Sequence, residues 1–349
     1  MKNTLRRANA DEIKHWDELV ATNPSAGEVF QSKAFANIKK RQGWQPEFWV
    51  YETSFGPVYA LFLTRQVLSV GRIVYIPRGP GVINIKQWRE ICRLNRKFEK
   101  NAVLIKMDPP IARDRVKTLP EDLIKVGNIQ RSSVNTVVID LNQSEEELLR
   151  SFRQRARRSI RGGKKENLRV IDVEPSSSSV AQMWKLYSST AKRAKLQTRH
   201  PKYYHRFWQE FAGSGVGRFF FVLEQNKQEP VAGAFVHWLG QNALYKDGGS
   251  RRDTQAHFSH LLHWQIMRWL TEQGVTKYDL GGTPPSDRLD DPTHTLATLA
   301  TFKLSFGAPV TDFVGTHDQI LKPTEYKKWL KAERLWRAAM RRTPIRDIY

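Results

Sequence analysis

Trp49-Val-Tyr-Glu-Thr-Ser-Phe-Gly-Pro-Val-Tyr-Ala-Leu-Phe62 and, in the second half of the chain, Phe221-Val-Leu-Glu-Gln-Asn-Lys-Gln-Glu-Pro-Val-Ala-Gly-Ala-Phe235 read as one hairpin written twice. Each opens with an aromatic, β-branched strand ending in glutamate. Each crosses a polar turn and starts its second strand with Pro-Val, where proline fits a strand's first residue. A third strand follows in both copies. The first ends in Tyr75 with Gly79 beyond it, the second in Tyr245 with Gly248-Gly249 beyond it. A unit present twice is a duplicated domain; a solenoid needs three or more.

Working outward, the apolar spacing predicts helices over Asp11–Ala21, Ser32–Arg41 and Ile85–Glu99, and strands over Phe48–Glu52, Val58–Gln66, Arg72–Tyr75, Ala102–Met107 and Thr136–Leu141. In the second half, Leu148, Phe152, Ala156 and Ile160 form an i, i+4, i+8, i+12 stripe that predicts one helix over Ser144–Arg161. Further helices are expected over Val180–Lys195, Pro201–Ala212 and Phe258–Gln273. Strands are expected over Arg218–Glu224, Pro230–Trp238, Asn242–Lys246 and Thr276–Leu280. Two helices, a meander of strands, a helix and a strand are the order of an N-acetyltransferase-like fold. The fold class is thus α/β with a mixed sheet, as two tandem acetyltransferase (GNAT)-like domains, each with a cleft where strands splay.

The 349 residues carry 57 basic against 35 acidic side chains, a net charge of +22. That excess points to nucleic acid, anionic headgroups or phosphorylated molecules as partners. Cys92 is the sole cysteine, which excludes an internal disulfide and a cysteine-based zinc cluster. Charges interrupt Met1–Asp17, so no signal peptide is expected there. The longest apolar runs, such as Val58–Leu63, fall far short of the roughly 20 residues that span a bilayer. The expectation is a soluble, cytoplasmic protein.

Nine stretches, in order, resemble the FemABX family of peptidoglycan-bridge aminoacyltransferases. They are Phe35-Ala-Asn-Ile-Lys39 with Gly43-Trp44; Tyr75-Ile-Pro-Arg78-Gly79-Pro80; Lys106-Met-Asp108-Pro109; Arg157-Arg158-Ser-Ile160-Arg161 with Lys164-Lys165; Arg199 with Tyr203-Tyr204; Ala232-Gly-Ala234; Gly248-Gly-Ser250; Tyr278-Asp279-Leu280-Gly281-Gly282; and Phe302-Lys303 with Phe306-Gly307. The resemblance runs from about residue 30 to 320. Too few residues separate Arg161 from Tyr203 for the long helical arm of some members, so the chain resembles the compact type. Where members often carry tyrosines, it reads Gln255-Ala-His257-Phe-Ser-His260. The resemblance implies a first domain of residues 1–143 plus 317–349 and a second of 144–316. It implies transfer of an amino acid from aminoacyl-tRNA to the peptide amine of a peptidoglycan precursor, either UDP-MurNAc-peptide or lipid II, with no cofactor and no metal.

Site residues follow in the same way. The resemblance assigns catalysis to Lys303, which lies among Phe302, Phe306 and Gly307; a lysine so flanked loses hydration and acts strongly on nearby anions. Lys39 and Arg199 take the precursor's diphosphate, with Tyr203 and Arg78 also on the substrate. Tyr203 shares a face with Arg199 if that segment is helical. Asp108 and Asp279 end strands where such clefts open; either can take the acceptor amine's proton or cap its strand, and Asp108 is assigned to catalysis. Arg155, Arg157, Arg158 and Arg161, within the basic run 150–165, suit tRNA phosphates or anionic lipid. The basic tail Lys327–Arg346 holds Trp329 and Trp336 and either packs back on the first domain or lies on the inner face of the membrane. His257, His260 and His263 drift around a helix and lack a completing carboxylate or thiol, so no metal is assigned.

Two rival functions remain open on sequence. A coenzyme A-dependent N-acetyltransferase needs a glycine-rich loop for the pyrophosphate. Here the loop Ser250-Arg-Arg-Asp-Thr-Gln-Ala256 has no glycine, and in Arg78-Gly-Pro-Gly81 a proline removes one donor. A non-catalytic RNA- or membrane-binding protein would explain the charge but not the duplicated fold.

Overall fold

Each copy of the repeated hairpin lies inside its own seven-stranded sheet. The computed structural model describes residues 3–98, 101–127, 134–196, 198–251 and 257–340. The chain divides into a first unit, Met1–Val134 with Asp312–Tyr349, and a second, Asn135–Thr311.

The first unit begins with β1 (Thr4–Arg7), α1 (Ala10–Lys14), α2 (Trp16–Ala21) and α3 (Lys33–Lys40). The hairpin β2 (Gln45–Thr53) and β3 (Gly56–Val67) follows, then β4 (Gly71–Ile76), α4 (Ile85–Asn95), β5 (Ala102–Met107) and β6 (Leu123–Lys125). The second unit runs β7 (Asn135–Asp140), α5 (Glu145–Ser151), α6 (Gln154–Lys165), β8 (Arg169–Val173), α7 (Ser177–Arg193) and α8 (Pro201–Gly213). It continues with β9 (Gly217–Leu223), β10 (Ala232–Leu239), β11 (Asn242–Ser250), α9 (Phe258–Glu272), β12 (Lys277–Gly282), α10 (Ala297–Lys303) and β13 (Val310–Asp312). The chain then returns to the first unit as β14 (His317–Ile320) and α11 (Pro323–Met340).

The sheet orders are β1-β2-β3-β4-β5-β14-β6 and β13-β7-β12-β11-β10-β9-β8. In each, a parallel pair, β4 with β5 and β11 with β12, is joined by a helix, α4 or α9. In each, a strand from one end of the unit's sequence lies antiparallel on the last parallel strand: the returning β14 on β5, and the opening strand β7 on β12. The resulting fold is two mixed α/β sheets of GNAT-like design. The first core packs Trp49, Phe62, Trp88 and Ile105; the second packs Phe152, Phe220, Trp264 and Tyr278.

Two expected helices are each broken in two. His15 leaves helical geometry at φ −96°, ψ 22°, separating α1 from α2. The helix expected over Ser144–Arg161 stops at Phe152 and Arg153, both extended (ψ 147° and 151°). The backbone groups freed there are satisfied. Arg153 N–H donates to Ser305 O at 2.9 Å, and Arg157 Nη1 donates to the carbonyls of Arg150 and Phe152 at 2.8 and 3.0 Å. Leu148, Phe152, Ala156 and Ile160 stay buried across the break because both halves cover the same core. Gly307, in left-handed geometry at φ +87°, lets its loop sit against this break: a Cβ there would lie 2.2 Å from Ser151 O.

The tail packs on the first unit. Lys106 of β5 and Asp318 of β14, both buried, pair at 2.6 Å, and Tyr326 Oη donates to Asp318 at 3.0 Å. Trp329 on α11 is fully buried and packs toward β5, while the guanidinium of Arg65 lies 4.7 Å from the Trp336 ring. The part of the expected tail helix beyond Met340 lies outside the described residues. Among those described, no helix is long and apolar enough to cross a membrane.

Candidate active site

In the second unit, β12 ends in a bulge. Its register on β7 shifts between Asp279 and Gly282. Asp279, nearly buried, holds the bulge by accepting from Thr136 Oγ1 and from Gly281 N at 2.7 Å; Gly281 takes a left-handed φ of +78°. Thr136 Oγ1 also contacts Gly281 O at 2.9 Å. This local geometry turns the Gly282 carbonyl toward the end of α10. There Lys303, 6% exposed, donates from Nζ to Gly282 O at 2.7 Å. Burial pushes the Lys303 ammonium down to about 8, opposed by the attraction of Asp279. An ammonium has three N–H donors, so one fixed to Gly282 leaves two for another acceptor.

The two buried histidines beside Lys303 add no charge of their own. His260 and His263 on α9 are buried against Phe302 and Phe306, with ring centroids 4.8 to 5.7 Å apart. Desolvation holds their imidazoles down at about 4 and about 3, so both are neutral near pH 7. His260 Nε2 hydrogen-bonds with Ser305 Oγ, His263 Nδ1 with Tyr278 Oη and His257 Nδ1 with Ser159 Oγ. The three rings thus point to three separate partners. A cleft of about 530 Å³ opens beside this cluster, lined by Arg155, His260, Asp290, Phe302 and Ser305 among others.

On α6, Arg155, Arg158 and Arg161 are exposed, and Ala156, Ser159, Ile160 and Gly163 are buried. Arg157 differs. It is half-buried, and its Nη1 is spent on the carbonyls at the helix break, which no sequence pattern shows. Arg199 also departs from the expected geometry: α8 begins at Pro201 with His200 as N-cap, so Arg199 precedes the helix. Its guanidinium still lies 4.2 Å from the Tyr203 ring. Of the Gln255–His260 segment, residues up to Ala256 lie outside the described residues, as does most of the Ser250–Ala256 loop.

In the first unit, Asp108 follows β5 and is buried. It accepts from Arg78 N at 2.6 Å and from Tyr75 Oη at 3.2 Å. Desolvation pushes its carboxyl up to about 7, opposed by Arg78 and by the two hydrogen bonds. Arg78 sits in left-handed geometry (φ 49°), its Nε on Glu28 Oε2 at 3.0 Å and its guanidinium 5.5 Å from the Phe313 ring. Lys39, on α3, is 3% exposed, with Nζ 3.1 Å from Gln42 Oε1 and 5.2 Å from the Phe35 ring centroid. Sequence reasoning missed Glu28, fifty positions from Arg78, and Thr136, which no local pattern links to Asp279. The Gly281-Gly282 pair was the one visible signal of the bulge.

Two GNAT-like sheets, the second with Lys303 at the end of α10 set against the end of β12, together with the likenesses that follow, place the chain among tandem-domain acyltransferases. The family described as Acetyltransferase (GNAT) domain matches residues 150–288. A solved structure of FemX superposes with TM-score 0.75 at 19% identity, covering 94% of this chain and 99% of that one. L-PGS from Bacillus licheniformis superposes with TM-score 0.51 at 12% identity, covering 95% and 98%. Proteins named Lipid II:glycine glycyltransferase from Staphylococcus epidermidis and Staphylococcus haemolyticus are each 20% identical. They cover 92% and 93% of this chain and 94% of their own lengths. These likenesses support the resemblance to the FemABX family of peptidoglycan-bridge aminoacyltransferases.

Proposed function

We propose that the protein moves an amino acid from aminoacyl-tRNA to the peptide amine of a peptidoglycan precursor on the cytoplasmic side of the membrane. The observation that carries this reading is Lys303: a buried ammonium, anchored through one N–H and with two others to offer, whose neighbour Phe302 lines a cleft together with Arg155. Attack of the amine on the ester forms the C–N bond and a tetrahedral intermediate with a negative oxygen. Collapse breaks the C–O bond to the ribose, whose oxygen takes a proton as the amine loses one. One fixed cation at that oxygen contributes about 3 kcal/mol. The ester is already activated, so no covalent enzyme intermediate is required; alignment and charge neutralisation suffice.

The remaining roles are proposals of the same reading. Arg155, Arg158 and Arg161 face solvent on α6 and suit the tRNA backbone. Arg157 joins them through whatever part of its guanidinium the helix break leaves. Lys39 and Arg199, with Arg78 and Tyr203, are assigned to the acceptor. Asp108 takes the amine's proton, with a basicity raised toward neutrality as a general base needs. The names of the relatives make glycine and lipid II the first amino acid and acceptor to try, with UDP-MurNAc-peptide as the soluble alternative.

The test offers one acceptor with two donors, glycyl-tRNA and acetyl-coenzyme A. Product from the charged tRNA alone supports the proposal. Product from acetyl-coenzyme A alone makes the protein an N-acetyltransferase, and product from neither donor with any acceptor leaves a binding protein.

A further inference from the structure

We infer that Lys246 is a specificity-determining residue of the acceptor site, acting with Arg199 to hold a diphosphate across the Tyr203–Phe207 ring pair of the second unit. The inference rests on the proposed assignment of Arg199 to the acceptor and adds a residue that this assignment lacks. Tyr203 and Phe207 are four apart on α8, so their rings form one row, with centroids 5.8 Å apart. Arg199 lies over the first ring at 4.2 Å, and Nζ of Lys246, on β11, lies 5.4 Å from the centroid of the second. Two cations thus address one aromatic row, Arg199 from the segment before α8 and Lys246 from β11. The row is rigid: Phe207 is 1% exposed, and Trp208 on the next position is locked to Asp247 by a 2.9 Å hydrogen bond from Nε1.

Lys246 is built as a rim cation. Its side chain is 28% exposed, so a ligand at the surface can reach it without displacing the fold. The carboxylate nearest its head, Asp247 Oδ1, is 3.4 Å away, while Oδ2 of the same group serves Trp208. Burial opposes the Lys246 charge, but Asp247 and the phenols of Tyr203 and Tyr204 outweigh it and raise its affinity for the proton, so the ammonium is charged at neutral pH. Arg199 acts in the opposite sense on Lys246, so the two cations repel. An anion shared between them relieves that repulsion and gains two charge-assisted contacts. A diphosphate, with charge on two linked groups, matches two cations set along a row better than a single carboxylate. The shared chemistry is a diphosphate bridge, carried by a nucleotide-linked or a polyprenyl-linked precursor.

The test titrates the full chain, following fluorescence from Trp184 and Trp208 in the same aromatic cluster. The probes are inorganic diphosphate, UDP, and phosphatidylcholine vesicles with or without undecaprenyl diphosphate. Lys246→Met should weaken binding of the diphosphate probes by about 10-fold or more, the range for a lost charged contact, and flatten the salt dependence. Lys246→Arg should restore most of the affinity. In a double-mutant cycle with Arg199→Met, the losses should not add, since both act on one ligand. In turnover, Lys246→Met should show mainly a raised acceptor KM. Preference for UDP or for the loaded vesicles tells which precursor is taken. Unchanged affinity in a folded Lys246→Met protein overturns the inference. If Arg199→Met still weakens binding, the wider reading survives that result; if the wild type binds none of these probes, both fall.

Discussion

Nζ of Lys303 stands 2.7 Å from the carbonyl oxygen of Gly282, and Asp279 shapes the bulge that brings that carbonyl there. The lysine is thereby fixed before any substrate arrives. A donor that needs no reorganisation at the moment of reaction is what electrostatic stabilisation of an oxyanion requires.

The pH dependence follows from two displaced groups. In its proposed role Lys303 acts as an ammonium, and it is pushed down to about 8; in its proposed role Asp108 acts as a carboxylate, and it is pushed up to about 7. Turnover should rise through about pH 7 and fall above about pH 8. Stability should move otherwise. Between about 8 and the ordinary lysine value near 10.5, the unfolded chain holds a proton at Lys303 that the folded chain has released, so this group's contribution to stability rises with pH. Chemical denaturation of wild type and Lys303→Met across that range isolates the contribution. A flat difference between the two proteins would contradict the displaced value.

The pair of Lys106 and Asp318 ties the returning strand β14 to β5, and Tyr326 of α11 joins it. Asp318→Ala leaves a buried ammonium without its carboxylate and should cost about 3–5 kcal/mol, measured by urea unfolding. Replacing Lys106 and Asp318 together by methionine and leucine should recover most of that loss, because it also removes the stranded charge. Equal destabilisation by the single and double replacements would show that the pair's charge is not what matters.

Arg155, Arg157 and Arg161 changed together to glutamine should weaken tRNA binding and lower the slope of affinity against salt, since fewer counterions are released. Arg157 caps the break between α5 and α6, so its share should appear partly as lost stability. Filter binding across a salt series reads the first effect and thermal unfolding the second. An unchanged salt slope would remove α6 from the tRNA surface.

Arg199→Ala should raise the acceptor KM by about 10- to 100-fold, since a lost charged contact costs about 1.5–3 kcal/mol. Lys39→Met should act in the same direction. The diphosphate of the precursor is remote from the bond that forms, so kcat should change less than KM. Steady-state kinetics with varied acceptor checks this; a normal KM in both variants would show that the diphosphate is held elsewhere.

Much of the fold was legible in local pattern. The repeated hairpin lies inside each sheet, one strand from an edge, and the stripe Leu148, Phe152, Ala156, Ile160 picked the buried face correctly. The bend within that stripe was not legible. It depends on Ser305 and Gly307, about 150 positions away, and the apolar period runs through it unbroken. The short strands β1, β6, β8, β13 and β14 were missed because three to five residues carry too little alternation to stand out. At the site, Lys303 was singled out by the resemblance of Phe302-Lys303 with Phe306-Gly307 to a family motif. Its anchor was not, because a backbone carbonyl has no sequence signature.

The most direct measurement is single-turnover transfer from charged tRNA to the precursor peptide by Lys303→Met beside the wild type. Methionine keeps length and apolar packing and removes the charge, so circular dichroism and unfolding should show a folded protein. The account predicts a transfer rate lower by about a hundredfold or more, the size of one lost oxyanion contact, with acceptor affinity nearly unchanged and only partial recovery in Lys303→Arg. A folded Lys303→Met protein that transfers at the wild-type rate would contradict it.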